Sequence, residues 1–181
     1  GSRNDESMRI LLLMLAVFIV SGCSHDISQY QDSEPKFNLF EYFDGESTAW
    51  GMIQDYTGKQ TRRFEVTIVG KVRENTLTLT EGFVFDDGEK TQRVWTIIRD
   101  GNNEYIGSAD DIIGKAYGKE IGNALQWKYD FELIYQGSPI VVAFDDWLYR
   151  QDSDHVFNLT KIKKFGVEVG EITLFFKKKV Q

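Results

Sequence analysis

Four polar side chains, Glu81, Arg93, Tyr129 and Asp146, fall on the apolar face of a run of alternating segments, and they carry most of the chemistry this chain offers. A charge turned into an apolar interior is costly unless it is paired. Glu81 and Arg93, set opposite each other by the strand register derived below, therefore have two readings. In one they neutralise each other and plug the interior. In the other Arg93 presents its guanidinium to the carboxylate or phosphate head of a bound molecule, while Trp95, Trp127 and Phe131 hold an apolar tail. Tyr129 and Asp146 also face each other. A cross-strand hydrogen bond is one role for them, and acid–base work on a bound molecule is the other.

Other chemistries fail on inventory. The chain has one cysteine, Cys23, and two histidines, His25 and His155, so a multi-histidine zinc site is not available. Asp86-Asp87-Gly88-Glu89 and Asp145-Asp146 lack the spacing of a twelve-residue calcium loop and read as a hairpin turn and a strand end. There is no Gly-x-Ser-x-Gly elbow, and Gly114-Lys115-Ala116 lacks the serine or threonine of a phosphate loop. No catalytic residue, metal or cofactor is assigned. Lys177-Lys178-Lys179 reads as a solvated strand end, with contact to anionic lipid as the sharper alternative. A net charge of −7 argues against a nucleic-acid partner. Two prolines, one cysteine and 41% hydrophobic residues in 181 exclude collagen-like, disordered and disulfide-stapled classes.

The elements that must position these residues are strands. From Thr48 onward apolar and polar residues alternate with period two, punctuated by glycine turns, with almost no helical periodicity. A three-residue loop at Asp86-Asp87-Gly88 pairs Leu79 with Trp95, Leu77 with Ile97 and Glu81 with Arg93, which keeps like residues on one face. A turn at Glu74-Asn75 pairs Val72 with Leu77 and leaves Ile68 opposite Glu81. A loop at Thr57-Gly58-Lys59 pairs Met52 with Phe64 and Trp50 with Val66. A four-residue loop from Gln136 to Pro139 pairs Leu133 with Val142, Phe131 with Phe144, Tyr129 with Asp146 and Trp127 with Leu148. Asp100 to Asn103 sets Ile97 against Ile106. The stretch Ala109–Ala124 is bent strand, bulge or mouth loop, and Phe165-Gly166 divides or kinks the last segment. The expected fold is all-β, an antiparallel up-and-down meander of about eight to ten strands that closes on itself, since there is no candidate core helix to cover its apolar face.

The start of the chain gives an address. Met8 and Arg9 precede an apolar run, Ile10–Val20, too short for a membrane span. Val20-Ser21-Gly22-Cys23 resembles the lipobox of bacterial lipoproteins. That resemblance implies cleavage before Cys23, acylation of Cys23 as the membrane anchor and, with Ser24 following, residence at the outer membrane facing the periplasm. Residues 1–7 then form an upstream extension, 8–22 the signal peptide, 23–36 the acylated cysteine and a polar tether, and 37–181 the barrel domain.

Further matches span most of the remaining chain: Phe40-Glu41-Tyr42-Phe43-Asp44-Gly45, Trp50-Gly51, Arg62-Arg63-Phe64, Glu81-Gly82-Phe83, Asp87-Gly88-Glu89, Arg93-Val94-Trp95, Gly122-Asn123-Ala124, Phe144-Asp145-Asp146-Trp147 and Lys164-Phe165-Gly166. Together they resemble a family of uncharacterised lipocalin-like bacterial lipoproteins, which implies a lipocalin-type barrel. Three functions are compatible with this pattern. The barrel binds or carries an apolar small molecule such as a fatty acid or lipid. Alternatively, a structural or assembly lipoprotein works through its outer surface, at a patch around Trp147, Tyr149 and Phe157, or an isomerase or cyclase acts on a lipid-like substrate.

Overall fold

The alternating segments form ten antiparallel strands: β1 (Gly45–Asp55), β2 (Gln60–Arg73), β3 (Thr76–Phe85), β4 (Lys90–Arg99), β5 (Glu104–Ser108), β6 (Ile112–Ile121), β7 (Ala124–Tyr135), β8 (Ser138–Arg150), β9 (His155–Lys164) and β10 (Val167–Lys178). Each strand pairs with its sequence neighbours, and β1 pairs with β10, so the meander closes into a barrel without free edges. This computed structural model describes residues 25–180. The expected export signal and Cys23 lie outside the described residues.

Turn chemistry decides which registers follow the apolar pattern. Gly88, at a φ of 89°, closes the β3–β4 hairpin as a three-residue loop, and Leu77–Ile97, Leu79–Trp95 and Glu81–Arg93 are cross-strand partners. Val72–Leu77 and Ile68–Glu81 also pair as the alternation predicts. Three hairpins depart from expectation. A bulge at Ile53/Gln54 shifts β1 by one residue, so Gly51 faces Phe64 and Ala49 faces Val66, which turns Trp50 outward to 46% exposure. Gln136 and Gly137, at φ of 49° and 78°, form a two-residue turn of the kind favoured by twisted hairpins. The β7–β8 register consequently slips by two: Phe131 pairs with Val142, Tyr129 with Phe144 and Trp127 with Asp146. A slip of two preserves the face but changes the neighbours. The β4–β5 loop is shorter by one residue than expected, placing Ile98 opposite Ile106, and Tyr105 rather than Ile106 points inward.

The glycine-rich stretch has a packing reason. β6 is bulged at Gly114, whose φ is 66°, and then runs straight past Trp127. A Cβ on Gly118 or on Gly107 would sit 2.4 or 2.5 Å from the Trp127 ring. These two glycines form the seat on which the indole lies. We expect Gly118→Ala to destabilise the protein by about 1–3 kcal/mol by displacing Trp127 from its seat; a chemical-denaturation midpoint equal to that of wild type would contradict this packing.

Chain direction sorts the two ends of the barrel. The β2–β3, β4–β5, β6–β7 and β8–β9 connections lie at one end, together with a five-residue helix, α1 (Leu39–Phe43), which plugs it. A helix this short shows no period in sequence, which is why the alternation alone gives no core helix. Asn38 caps it by accepting from the Glu41 amide, and Leu39, Phe40, Tyr42 and Phe43 are all buried. Glu120, inside the barrel, accepts from the Leu39 amide at 3.1 Å and from the Tyr105 hydroxyl at 2.7 Å. Arg150 clamps the plug from outside its axis, bridging Glu41, the Lys36 carbonyl and the β8–β9 turn. Residues 25–36, read as a tether, lie along the wall: a short 3-10 turn (Ile27–Tyr30) packs on β6 and β7, and the His25 ring stacks on Trp147 at 3.9 Å.

Candidate functional site

The opposite end, ringed by the β1–β2, β3–β4, β5–β6, β7–β8 and β9–β10 connections, has no such plug among the described residues. Burial of the inward side chains follows this polarity. Toward α1 they are sealed: Leu77, Ile68, Tyr105, Leu125 and Val156 are at most 2% exposed. Toward the open end Ile53, Phe83, Phe85, Phe131, Leu133, Ile140, Ile162, Ile172 and Leu174 face inward and are only partly buried. An inward residue of a closed barrel can be reached by solvent only through its lumen. The interior is therefore apolar and reached by solvent toward the open end, and largely sealed from about the level of Arg93 toward α1.

The floor holds the four polar residues the sequence places inside. Arg93 donates through Nε to both Asp111 carboxylate oxygens at 2.9–3.0 Å and through Nη1 to the Tyr129 hydroxyl at 3.3 Å, and its Nη2 lies 2.9 Å from Asp111 Oδ2. Its guanidinium carbon also sits 5.2 Å from the Phe131 ring centroid and 5.6 Å from that of Trp95. Trp95, Trp127 and Tyr129 form a buried edge-to-face stack beneath it, continued by Phe144 and Phe131. The expected neutralising pair is corrected here: Glu81 stands across from Arg93 in register, yet the arginine's ion pair is with Asp111, in the loop after the short β5. Among the described residues Glu81 has no ion pair within the 4 Å range that Arg93 and Asp111 meet.

Tyr129 and Asp146 do not bond each other. The two-residue slip sets Asp146 beside Trp127 and Thr160, and it accepts from the Thr160 hydroxyl at 2.7 Å. Asp111 and Thr160 are the functional neighbours that sequence reasoning misses. Asp111 lies in the stretch whose register stayed open, whereas Thr160 was findable from the alternation Val156, Asn158, Thr160, Ile162 along β9.

Burial dominates the electrostatics of this floor. Glu81 is raised from the ordinary carboxylate range to about 7, chiefly by desolvation, with Asp146 adding to the rise and Arg93 opposing it. Asp146 is raised to about 7 by desolvation, against the Thr160 hydrogen bond and Arg93. Burial likewise pushes the Tyr129 hydroxyl well above its usual value, so it stays protonated. Both carboxyls remain partly accessible from the lumen. The arrangement offers a fixed cation with two of its five N–H donors uncommitted, a phenol, and two carboxyls that exchange protons near neutrality.

Elsewhere the outer surface offers less. His155, bound to Asp152 at 2.9 Å, belongs to the plugged end. The expected apolar patch is mostly covered, since His25 and Tyr30 bury Trp147; Phe157 remains exposed. Two shallow grooves, of about 350 Å³ across β5–β7 and about 440 Å³ across β1–β3, open to the outside. Among the described residues no three histidine, cysteine or acidic side chains are placed to hold a metal.

Comparison with known proteins bears on the fold. The family described as protein of unknown function (DUF3833) matches residues 17–178. No curated protein matches the sequence. Similar solved structures include an S-type phycobiliprotein lyase from Guillardia theta, at 10% identity and a TM-score of 0.54 over 78% of this chain and 92% of that one. A DUF3598-family protein of unknown function from Nostoc punctiforme is similar at 14% identity and a TM-score of 0.58, over 81% of this chain and 51% of that one. Rv2717c from M. tuberculosis is similar at 14% identity and a TM-score of 0.55, over 82% of this chain and all of that one. At these identities the likeness concerns architecture, and it supports the lipocalin-like barrel.

Proposed function

The chain belongs to the DUF3833 family, and from that premise we propose that its barrel binds or carries an apolar small molecule of the fatty-acid or lipid class, with the polar end of the molecule at Arg93. The observation that carries this reading is the gradient inside the barrel. Partly accessible aromatic and aliphatic side chains lead from the open end down to a guanidinium with donors to spare. An interior built only for stability would be sealed throughout, as it is around α1. Ligand sites combine an apolar wall with a few placed polar groups in this way. The lipobox-like Val20-Ser21-Gly22-Cys23 supports placing the domain at the outer membrane, facing the periplasm and anchored through acylated Cys23.

Native mass spectrometry of residues 24–181, which contain every strand and the plug, tests the reading. We expect a retained mass that organic extraction identifies as a fatty acid or phospholipid. An apo mass that stays unchanged against an offered panel of lipids would favour a protein that acts through its outer surface. One observation favours a second reading: Glu81 and Asp146 titrate near neutrality beside a phenol, which suits proton transfer on a lipid-like substrate. Incorporation of deuterium into the bound molecule from heavy water would identify that activity.

A further inference from the structure

The rim of the open end divides into two arcs. Around the barrel the β7–β8, β9–β10 and β1–β2 hairpins are consecutive, and so are β3–β4 and β5–β6. The first arc ends in Ile134 and Tyr135, Phe165 and Val167, and Tyr56, with Phe165 at 93%, Tyr56 at 82% and Ile134 at 70% exposure. Its tips carry Lys59 and Lys164, and the Lys164 ammonium lies 4.7 Å from the Phe165 ring centroid. Asp55, at the foot of one tip, is turned onto its own hairpin, accepting from the Thr57 and Lys59 amides. Glu168 faces Lys161 at 3.8 Å. The second arc ends in Asp86, Asp87, Glu89, Asp110 and Asp111, with Lys90 beside them; Asp87 and Glu89 pair with Arg62, Asp86 with Arg63 and Asp111 with Arg93.

Nothing in folding asks for this. Phe165 is at a φ of 50°, a left-handed conformation that bulky residues rarely adopt and that asparagine or glycine would suit better. It makes no core contact in return, being almost wholly exposed. Bulky apolar tips held out on hairpins, aromatic rings with a polar edge, and lysines that can reach past them are the features of an interfacial anchor. More carboxylates, which anionic headgroups would repel, stand on the far arc than beside the apolar tips, where Asp55 is tied to its own hairpin and Glu168 faces Lys161.

We propose that the β7–β8, β9–β10 and β1–β2 tips dock this barrel, mouth first and tilted, onto the phosphate-bearing surface of a lipid bilayer. Docked in this way, the apolar lumen opens at the acyl-chain boundary. The inference stands on the rim and is independent of any cargo, so an empty lumen would leave it intact.

The test uses the full chain on phosphatidylethanolamine–phosphatidylglycerol vesicles whose acyl chains carry bromine, a contact quencher of tryptophan. F165W and Y56W place an indole on the apolar arc and D87W places one on the acidic arc. The signal of the four native tryptophans is subtracted using wild type. Quenching is normalised to the fraction of each variant that sediments with the vesicles, so it reports contact of the rim rather than binding of the chain. The expected result is loss of more than half of the added emission for F165W and Y56W, and little loss for D87W. Equal quenching at all three sites would overturn the proposal. So would a rim that is dark to bromine while sedimentation shows a dimer broken by I134D and F165D, which would assign the apolar arc to self-association.

Discussion

If the barrel carries a long-chain fatty acid as proposed, Arg93→Met is expected to weaken its binding by about ten- to a hundredfold and to leave the barrel folded. The magnitude follows from the bond lost: a hydrogen bond to a charged group contributes roughly 1.5–3 kcal/mol, and each 1.4 kcal/mol is about tenfold in affinity. The fold survives because the partner left behind is not stranded. Asp111 sits at the edge of the lumen with its side chain 44% exposed, so it regains water when the guanidinium goes. Methionine keeps most of the aliphatic length while giving up the guanidinium's approach to the Trp95, Tyr129 and Phe131 rings. Competition with a fluorescent fatty acid measures the loss, and circular dichroism checks the fold. Arg93→Lys falls between the two, since one ammonium cannot serve Asp111, Tyr129 and a ligand together. Unchanged affinity in the methionine variant would detach Arg93 from the ligand.

Glu81→Gln raises the melting temperature at pH 8 by about 2–6 °C and changes it little at pH 4. The sign comes from the direction of the shift. Glu81 titrates near 7 in the folded protein and in the ordinary carboxylate range when unfolded, so folding takes up a proton between those values. The stability this group contributes is fully present below about pH 4.5 and is lost as pH rises through 7. The full shift corresponds to roughly 3 kcal/mol, and access to water from the lumen reduces it to about 1–2 kcal/mol. Asp146 follows the same direction, so the wild-type protein loses stability across this window at both sites. A glutamine removes one of the two penalties. Were the variant less stable than wild type at pH 8, Glu81 would be an ionic partner of Arg93 and the plugged-interior reading would be restored. The same titration acts on binding: a carboxylate ligand meets two further carboxyls at the floor, so its affinity falls as pH rises from 6 to 8, and Glu81→Gln flattens that fall.

How far the sequence carried the account depended on what set each register. Where a turn announces itself, as Asp86-Asp87-Gly88 does, alternation placed Glu81 opposite Arg93 correctly. It failed where backbone conformation rather than residue type set the count. Gln136 adopts a positive φ that glutamine does not advertise, and the resulting slip separated Tyr129 from Asp146. The bulge at Ile53/Gln54 turned Trp50 outward in the same manner. Which residues of β7 and β8 lie inside was legible because a slip of two conserves the face, whereas the one-residue shifts at β1 and β5 turned Trp50 and Ile106 out of the expected inner face. What each of them touches was not, because Asp111 comes from a loop whose position depends on β5 ending early. The plug was hidden for another reason: five residues of α1 bury four apolar side chains without completing a pattern longer than one turn.

The most direct test of the central claim, an apolar molecule held in the lumen with its polar end at Arg93, is quenching of native tryptophans by brominated fatty acids. Trp95 and Trp127 lie at the floor, while Trp50 and Trp147 lie on the outer wall. Bromine near the carboxyl end should quench the floor pair strongly, and bromine near the methyl end should quench it weakly. Loss of quenching in Arg93→Met would tie the orientation to the guanidinium. Binding with no quenching of Trp95 and Trp127, or with the stronger effect from the methyl end, would contradict the account.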